Sequence, residues 1–68
     1  MELTINGERR QVEDAGMLAD VLRRAGVAVD RGGVAVAVND RVIPKARWDT
    51  HELHAGDRIE VIHAVQGG

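Results

Sequence analysis

The chain has 68 residues, no cysteine, and a formal net charge of −2 from nine basic and eleven acidic residues. A chain of this length forms at most one domain and buries only about 60% of its extended-chain surface. Without cysteine, it has no disulfide, thiolate metal site or thiol nucleophile. The weak acidic charge, with no long basic run, argues against nucleic acid as a partner. One tryptophan is the only aromatic residue, and so short a chain can enclose little pocket volume. We therefore expect a carrier or binding module and not an enzyme.

The first twelve residues predict a β-hairpin. Leu3 and Ile5 alternate with polar neighbours, as in a strand with one buried face. Asn6-Gly7 is suited to the positive φ angles of a tight hairpin turn. Residues 2 to 12 are therefore predicted to form two antiparallel strands.

A short helix is predicted next, over residues 17 to 25. Its apolar residues fall on one helical stripe: Met17, Leu18, Val21, Leu22 and Ala25. Gly26 is suited to end the helix in the left-handed conformation. No Ser or Thr stands at its start, and Asp14 is the nearest candidate for an N-terminal cap.

The middle of the chain predicts a third strand and a turn. In Val34–Val38, valines and alanines alternate with strand period, which gives one bulky face and one small face. Asn39-Asp40 indicates a turn, and Val42-Ile43 indicates a further short strand. Pro44 then removes a backbone donor and ends the ladder.

A final strand is predicted over residues 58 to 65, after a turn at Gly56-Asp57. Its alternation separates two faces. One face holds Ile59, Val61, His63 and Val65, and the other holds Glu60, Ile62 and Ala64.

This order of elements predicts an α+β fold. A helix on one face of a small sheet is the minimal way to bury both apolar surfaces. We predict a β-grasp (ubiquitin-like) domain over residues 1–65, with a mixed sheet of four to five strands and one main helix packed on one face. A flexible tail, residues 66–68, follows. The order alone leaves other α+β layouts open.

The C-terminal tail is the segment most suited to take part in a reaction. A chain ends in two glycines by chance in roughly 0.5% of cases, and here Gln66, Gly67 and Gly68 directly follow a predicted strand. Without a Cβ, such a tail can pass through a narrow slot and present its carboxylate to a partner's active site. The carboxylate needs activation first. Gly32-Gly33 lacks the pattern of a phosphate-binding loop, so ATP would be bound by a partner.

A shallow apolar surface is predicted beside the tail. It consists of Ile62 and Ala64 on the last strand and of Ala35 and Ala37 on the small face of the third strand, if those two strands are neighbours. Because the tail leaves from the same strand, we favour this surface as the partner-binding site over the alternative of scattered exposed residues.

Other candidate residues have simpler interpretations. His51-Glu52-Leu53-His54 departs from the zinc-protease HExxH spacing by one position, which favours a solvated loop over a metal site. His63 has no Cys or Ser to serve as its nucleophilic partner. Trp48 is expected to pack in the core.

Four segments carry a family resemblance: Val36-Ala37-Val38-Asn39; Val42-Ile43-Pro44 with Arg47-Trp48; Leu53-His54-Ala55-Gly56-Asp57-Arg58-Ile59-Glu60-Val61; and Gly67-Gly68. In these segments, within residues 33–68, the chain resembles the ThiS family of sulfur carriers. The N-terminal half agrees in pattern more than in residues, and Met17 stands where the family usually has a Thr or Ser cap.

The resemblance implies a mechanism with several partners. A ThiF-type adenylyltransferase would adenylate the Gly68 carboxylate with ATP and magnesium, neither of which this chain would bind itself. A cysteine desulfurase relay would then supply sulfur to form a thiocarboxylate. A ThiG-type thiazole synthase would receive that sulfur for thiamine biosynthesis.

Two other function classes remain open. One is a carrier that serves molybdopterin or another sulfur pathway, and the other is a β-grasp interaction module with inert glycines. We expect a cytoplasmic protein, because the first residues lack the basic and apolar segments of a secretory signal. No membrane segment is expected, because the longest apolar run, Val34–Val38, is far shorter than the roughly 20 residues that a crossing needs.

Overall fold

The computed structural model describes residues 1–13, 16–29 and 32–63. Within these residues the chain forms five strands, one α-helix and one short 3-10 helix. The strands are β1 (Glu2–Ile5), β2 (Glu8–Gln11), β3 (Val34–Val38), β4 (Arg41–Val42) and β5 (Arg58–His63). The α-helix, α1, spans Leu18–Arg24, and the 3-10 helix spans Lys45–Arg47.

The strands form one mixed sheet in the order β2-β1-β5-β3-β4. The first and last strands, β1 and β5, are parallel neighbours at its centre. The other three pairs are antiparallel. This sheet, with α1 packed on one face, is the predicted β-grasp arrangement, which is therefore confirmed.

The N-terminal hairpin is confirmed. Ile5 lies opposite Glu8, so the connection is the two-residue turn Asn6-Gly7. Asn6 has φ 49° and Gly7 has φ 80°, the positive angles that a type I′ turn requires at both positions.

The start of α1 is stabilised by backbone groups of a distant loop. Met17 occupies the N-cap position in an extended conformation and makes no capping hydrogen bond with its side chain. The first amides of the helix instead donate to the carbonyls of His51 and Trp48, each at 2.9 Å. Those carbonyls satisfy donors that the helix itself cannot, which explains why no Ser or Thr cap is needed. Asp14, the predicted cap, lies outside the described residues.

The end of α1 agrees with the sequence prediction. Gly26 has φ 84°, and its amide donates to the Arg23 carbonyl at 3.1 Å. The Val27 amide reaches back to the Leu22 carbonyl at 2.9 Å. This pair of bonds is the Schellman motif, which requires the left-handed conformation at the glycine.

One cluster of buried side chains joins the helix to the sheet. Its members are nearly inaccessible to solvent: Leu3, Ile5, Leu18, Ala19, Val21, Leu22, Val36, Val38, Trp48, Leu53, Ile59 and Val61. Each large aliphatic side chain in the cluster contributes about 1.5–3 kcal/mol by leaving water. Trp48 is 3% exposed and packs in the core, as expected.

The segment after the Asn39-Asp40 turn differs from the prediction. The short strand is Arg41–Val42 and not Val42-Ile43, although the Ile43 amide still donates to the Val36 carbonyl at 2.8 Å. After Pro44 the chain enters the 3-10 helix, which the sequence pattern did not indicate. Within this turn the Trp48 indole donates to the Ile43 carbonyl at 2.9 Å, which fixes the ring over the core.

The last strand is confirmed over Arg58–His63. Its alternation is also confirmed, because Ile59 and Val61 are buried whereas Glu60 and Ile62 are exposed. His63, which alternation places on the same side as Ile59 and Val61, is exposed at the end of the strand. The predicted continuation through Ala64 and Val65 lies outside the described residues.

A polar network connects the β3–β4 turn to the start of β5. The Asn39 side chain donates to Asp57 Oδ1 at 2.9 Å and accepts from the Arg58 amide at 2.9 Å. Asp57 Oδ2 accepts from the His54 amide at 2.8 Å. Asn39 and Asp40 have φ 50° and 70°, so the network holds two non-glycine residues in a conformation that side chains disfavour.

The network changes the acidity of Asp57. Partial burial by itself raises the pKa of this carboxyl. The hydrogen bonds from His54 and Asn39, followed by the charges of His54 and His51, outweigh that effect. The pKa of Asp57 therefore lies below its ordinary value of 3.8, because these neighbours favour the ionised form.

We expect Asp57→Ala to lower the free energy of unfolding by about 1–2 kcal/mol near neutral pH, because two charge-assisted hydrogen bonds are lost. A lowered pKa in the folded state gives stability that is present above the unfolded value of 3.8 and is lost as the pH falls through the lower folded value. The difference in the free energy of unfolding between wild type and variant should therefore become smaller at acid pH. Urea denaturation over a pH series measures it.

Asp49→Ala is the matched control, because the Asp49 carboxylate is largely exposed and its contact with Arg23 is long, at 3.5 Å. It should change the free energy of unfolding little at any pH. An Asp57→Ala effect of constant size from neutral to acid pH would contradict the assigned role of the ionised carboxylate.

Candidate docking face

The face of the sheet opposite α1 is open. Along β5, Arg58, Glu60 and Ile62 point to this face, whereas Ile59 and Val61 point to the core. The small side chains of β3 share the open face, because its valines at positions 36 and 38 are in the core.

Ile62 and Ala35 lie directly opposite each other on β5 and β3. Ile62 is 58% exposed, a large value for an isoleucine in a central strand. Ala37 lies opposite Glu60 on the same face. The structure thus brings Ile62, Ala35 and Ala37 together, as the sequence predicted for neighbouring strands.

Val42 extends this surface, and sequence reasoning missed it. Val42 lies opposite Ala37 on the edge strand β4 and is 74% exposed. The signal was present, because a two-residue turn at Asn39-Asp40 places Val38 opposite Arg41 and therefore Ala37 opposite Val42. We call the four residues Ile62, Ala35, Ala37 and Val42 the docking face.

A shallow depression lies at one end of the docking face. Its lining residues are Gly33, Val34, Ala35 and Ile62. Gly33 and Ala35 are small, so the Ile62 side chain stands beside open space. The depression adjoins the end of β5, where Val34 lies opposite His63 and the chain continues to Ala64.

The remaining predicted site residues lie outside the described part of the chain. These are Ala64 of the apolar surface and Gln66, Gly67 and Gly68 of the tail. Their roles stay predictions from the sequence.

The histidine-containing loop shows a solvated arrangement. His54 Nε2 lies 3.5 Å from Glu52 Oε1, and both side chains are largely exposed. Across residues 1–13, 16–29 and 32–63, no group of three or more His, Asp or Glu side chains is arranged to hold a metal ion. Within those ranges, too, no helix combines the length and apolar composition of a membrane span.

A mixed sheet with parallel first and last strands at its centre and one helix on one face defines a β-grasp protein of the ubiquitin-like kind. The model of the ThiS family matches residues 3–68. The chain belongs to the ThiS family.

Two relatives show the extent of the similarity. The chain is 32% identical over all 68 residues to a thiazole synthase from Paramagnetospirillum magneticum (strain ATCC 700264 / AMB-1), of which it covers 20%. It is 32% identical over 38 residues to the sulfur carrier protein ThiS of Escherichia coli (strain K12), which is 56% of this chain and 58% of that protein. The chain therefore spans a fifth of the length of the thiazole synthase and somewhat over half of the length of ThiS from Escherichia coli.

Solved structures support the same assignment. The crystal structure of the thiamine biosynthesis protein ThiS from Geobacter metallireducens matches with a TM-score of 0.81 and 28% identity, over the full length of both chains. The solution structure of a thiamine biosynthesis protein from the same organism matches with a TM-score of 0.76 and 28% identity, over all of this chain and 88% of that one.

We expect Ile62→Asp to change the free energy of unfolding by less than about 1 kcal/mol, because the side chain is mostly exposed and leaves no cavity. Ile59→Ala is the matched comparison on the buried face of the same strand. At 1% exposure it should cost about 2–5 kcal/mol. Denaturant unfolding of both variants checks this, and equal losses would show that the docking face is part of the folding core.

Proposed function

We propose that the chain is a sulfur carrier of thiamine biosynthesis, which holds sulfur as a thiocarboxylate at Gly68. The observation that carries this proposal is membership of the ThiS family over residues 3–68, a match that includes the Gly67-Gly68 tail. The relative from Escherichia coli is named as a sulfur carrier. In this role the chain is a protein substrate and has no catalytic activity of its own, and its location is the cytoplasm.

The chemistry requires an activating enzyme. A carboxylate resists nucleophiles because of its negative charge, so a ThiF-type adenylyltransferase would first join Gly68 to AMP. A carboxylate oxygen attacks the α-phosphorus of ATP and pyrophosphate leaves, with magnesium supplied by that enzyme. The terminal sulfur of a persulfide on the cysteine desulfurase relay then attacks the acyl carbon and AMP leaves, which gives an acyl disulfide. A thiol of the relay cleaves that S–S bond and becomes part of a disulfide itself, and the thiocarboxylate is released. The chain needs no phosphate-binding residues for this, and Gly32-Gly33 lacks the phosphate-binding pattern.

The docking face is suited to orient the chain on that enzyme. Ile62 and Val42 are the two exposed large aliphatic side chains of the described residues, and both lie on the open face. Burial of such exposed apolar side chains is a common source of binding free energy. Because the tail follows β5, a partner fixed against this face receives the tail in a defined direction.

A thiazole synthase is the proposed acceptor of the sulfur. The relative from Paramagnetospirillum magneticum is named thiazole synthase and contains a region similar to this whole chain. The presence of a region similar to this chain within a protein named thiazole synthase supports the proposal that the carrier and a thiazole synthase act together.

We expect deletion of Gly67-Gly68 to abolish sulfur loading while the fold is retained, because two glycines add no side chain to the core. Addition of one alanine after Gly68 should be almost as damaging, because it moves the carboxylate beyond the adenylation position. The measurement is the intact mass of the chain after incubation with a ThiF-type enzyme, ATP and a sulfur donor. Exchange of one oxygen for sulfur adds the mass difference of those atoms.

Removal of the added alanine by a carboxypeptidase is the control for the extended variant, and it should restore loading. A truncated chain that still gained the mass increment would place the sulfur elsewhere and refute the carrier mechanism.

We expect Ile62→Asp to weaken binding to the ThiF-type enzyme by more than about 1 kcal/mol, because it places a carboxylate in a desolvated apolar contact. Thr50→Asp, which adds the same charge at an exposed loop position, should bind as tightly as wild type. Isothermal titration calorimetry measures both affinities. Equal affinities of the two variants would show that the enzyme docks elsewhere.

A further inference from the structure

Glu60 is a charged residue within the docking face. Along β5 it lies two residues before Ile62 on the same face. Across the sheet it lies opposite Ala37, and Ala37 in turn lies opposite Val42. The Glu60 carboxylate therefore adjoins any apolar contact that covers Ile62, Ala37 and Val42.

The Glu60 carboxylate has no ion-pair or hydrogen-bond partner among residues 1–13, 16–29 and 32–63. Arg58, the cation two residues earlier on the same face, is paired with Asp40 at 3.0 Å. Glu60 is exposed in the free chain, where water solvates the carboxylate. Within the described part of the chain, no side chain contacts the carboxylate to replace that water when a partner covers the face.

Removal of a carboxylate from water without a compensating charge is strongly unfavourable. A partner that buries Ile62, Ala37 and Val42 must therefore offer a cation to Glu60, or leave room for water at that edge of its contact surface. The first solution gives the contact a direction, because a single charge among apolar neighbours can be matched in only one orientation.

We propose that Glu60 pairs with an arginine or lysine of the adenylating partner, set within that partner's otherwise apolar contact surface. The proposal rests on the docking described above. In it, Glu60 determines the orientation of the docking face on the partner. The apolar side chains supply contact area, and the carboxylate fixes how the face is turned and hence where the tail points. The recognised chemistry is a basic side chain surrounded by aliphatic ones.

The test compares three Glu60 variants for binding to the ThiF-type enzyme. Glu60→Gln keeps the shape and removes the charge, and should weaken affinity by about tenfold or more. Glu60→Lys should weaken it further through repulsion, whereas Glu60→Asp should retain most of the affinity. Glu8→Gln, a neutralised glutamate on the edge strand β2 with its side chain on the helix side of the sheet, should bind like wild type.

Salt dependence separates a charge pair from a change of shape. The association rate of wild type should fall with rising ionic strength more steeply than that of Glu60→Gln, because only wild type retains the attraction. Unchanged affinity of Glu60→Gln, or a loss with no difference in salt dependence, would overturn the inference. Failure of wild type to bind would refute the docking itself, and failure of the intact chain to acquire sulfur would separately refute the carrier function.

Discussion

Strand β5 is hydrogen-bonded along both edges, to β1 in parallel and to β3 in antiparallel orientation, and the rest of the structure depends on this double pairing. It joins the first and last strands at the centre of the sheet. Ile59 and Val61 complete that core. The same pairing places Ile62 against Ala35 on the other face. One strand thus completes the core on one side of the sheet and carries part of the docking face on the other.

The sequence predicted most of the secondary structure because its signals were local. Alternation in Val34–Val38, the turn residues Asn6-Gly7 and the glycine after α1 act through neighbours in the chain. The start of α1 was different. Its amides are satisfied by the carbonyls of Trp48 and His51, about thirty residues away, a contact that no local pattern reveals. The 3-10 helix after Pro44 was missed for a related reason, since it is held by core packing of Trp48.

The docking face was predictable in part. Strand alternation placed Ile62, Ala35 and Ala37 on exposed faces, and their proximity depended only on whether β3 and β5 were neighbours. Val42 was missed because a two-residue strand has no periodicity, so its face follows only from the register that the Asn39-Asp40 turn sets. Among the described residues Glu60 has no ion-pair partner, and Arg58 on the same face pairs with Asp40 instead. Only the three-dimensional structure shows this pairing. Family membership, in contrast, rests on sequence that includes the tail.

The proposed mechanism places sulfur on the main-chain carboxyl carbon of Gly68. The most direct measurement is fragmentation mass spectrometry of the intact chain after loading with an isotopically heavy sulfur donor. The proposed carrier mechanism predicts that the heavy sulfur stays with every fragment that contains Gly68, down to the smallest, and is absent from all fragments that lack it. Heavy sulfur on an internal fragment, or none on the loaded chain, would contradict it.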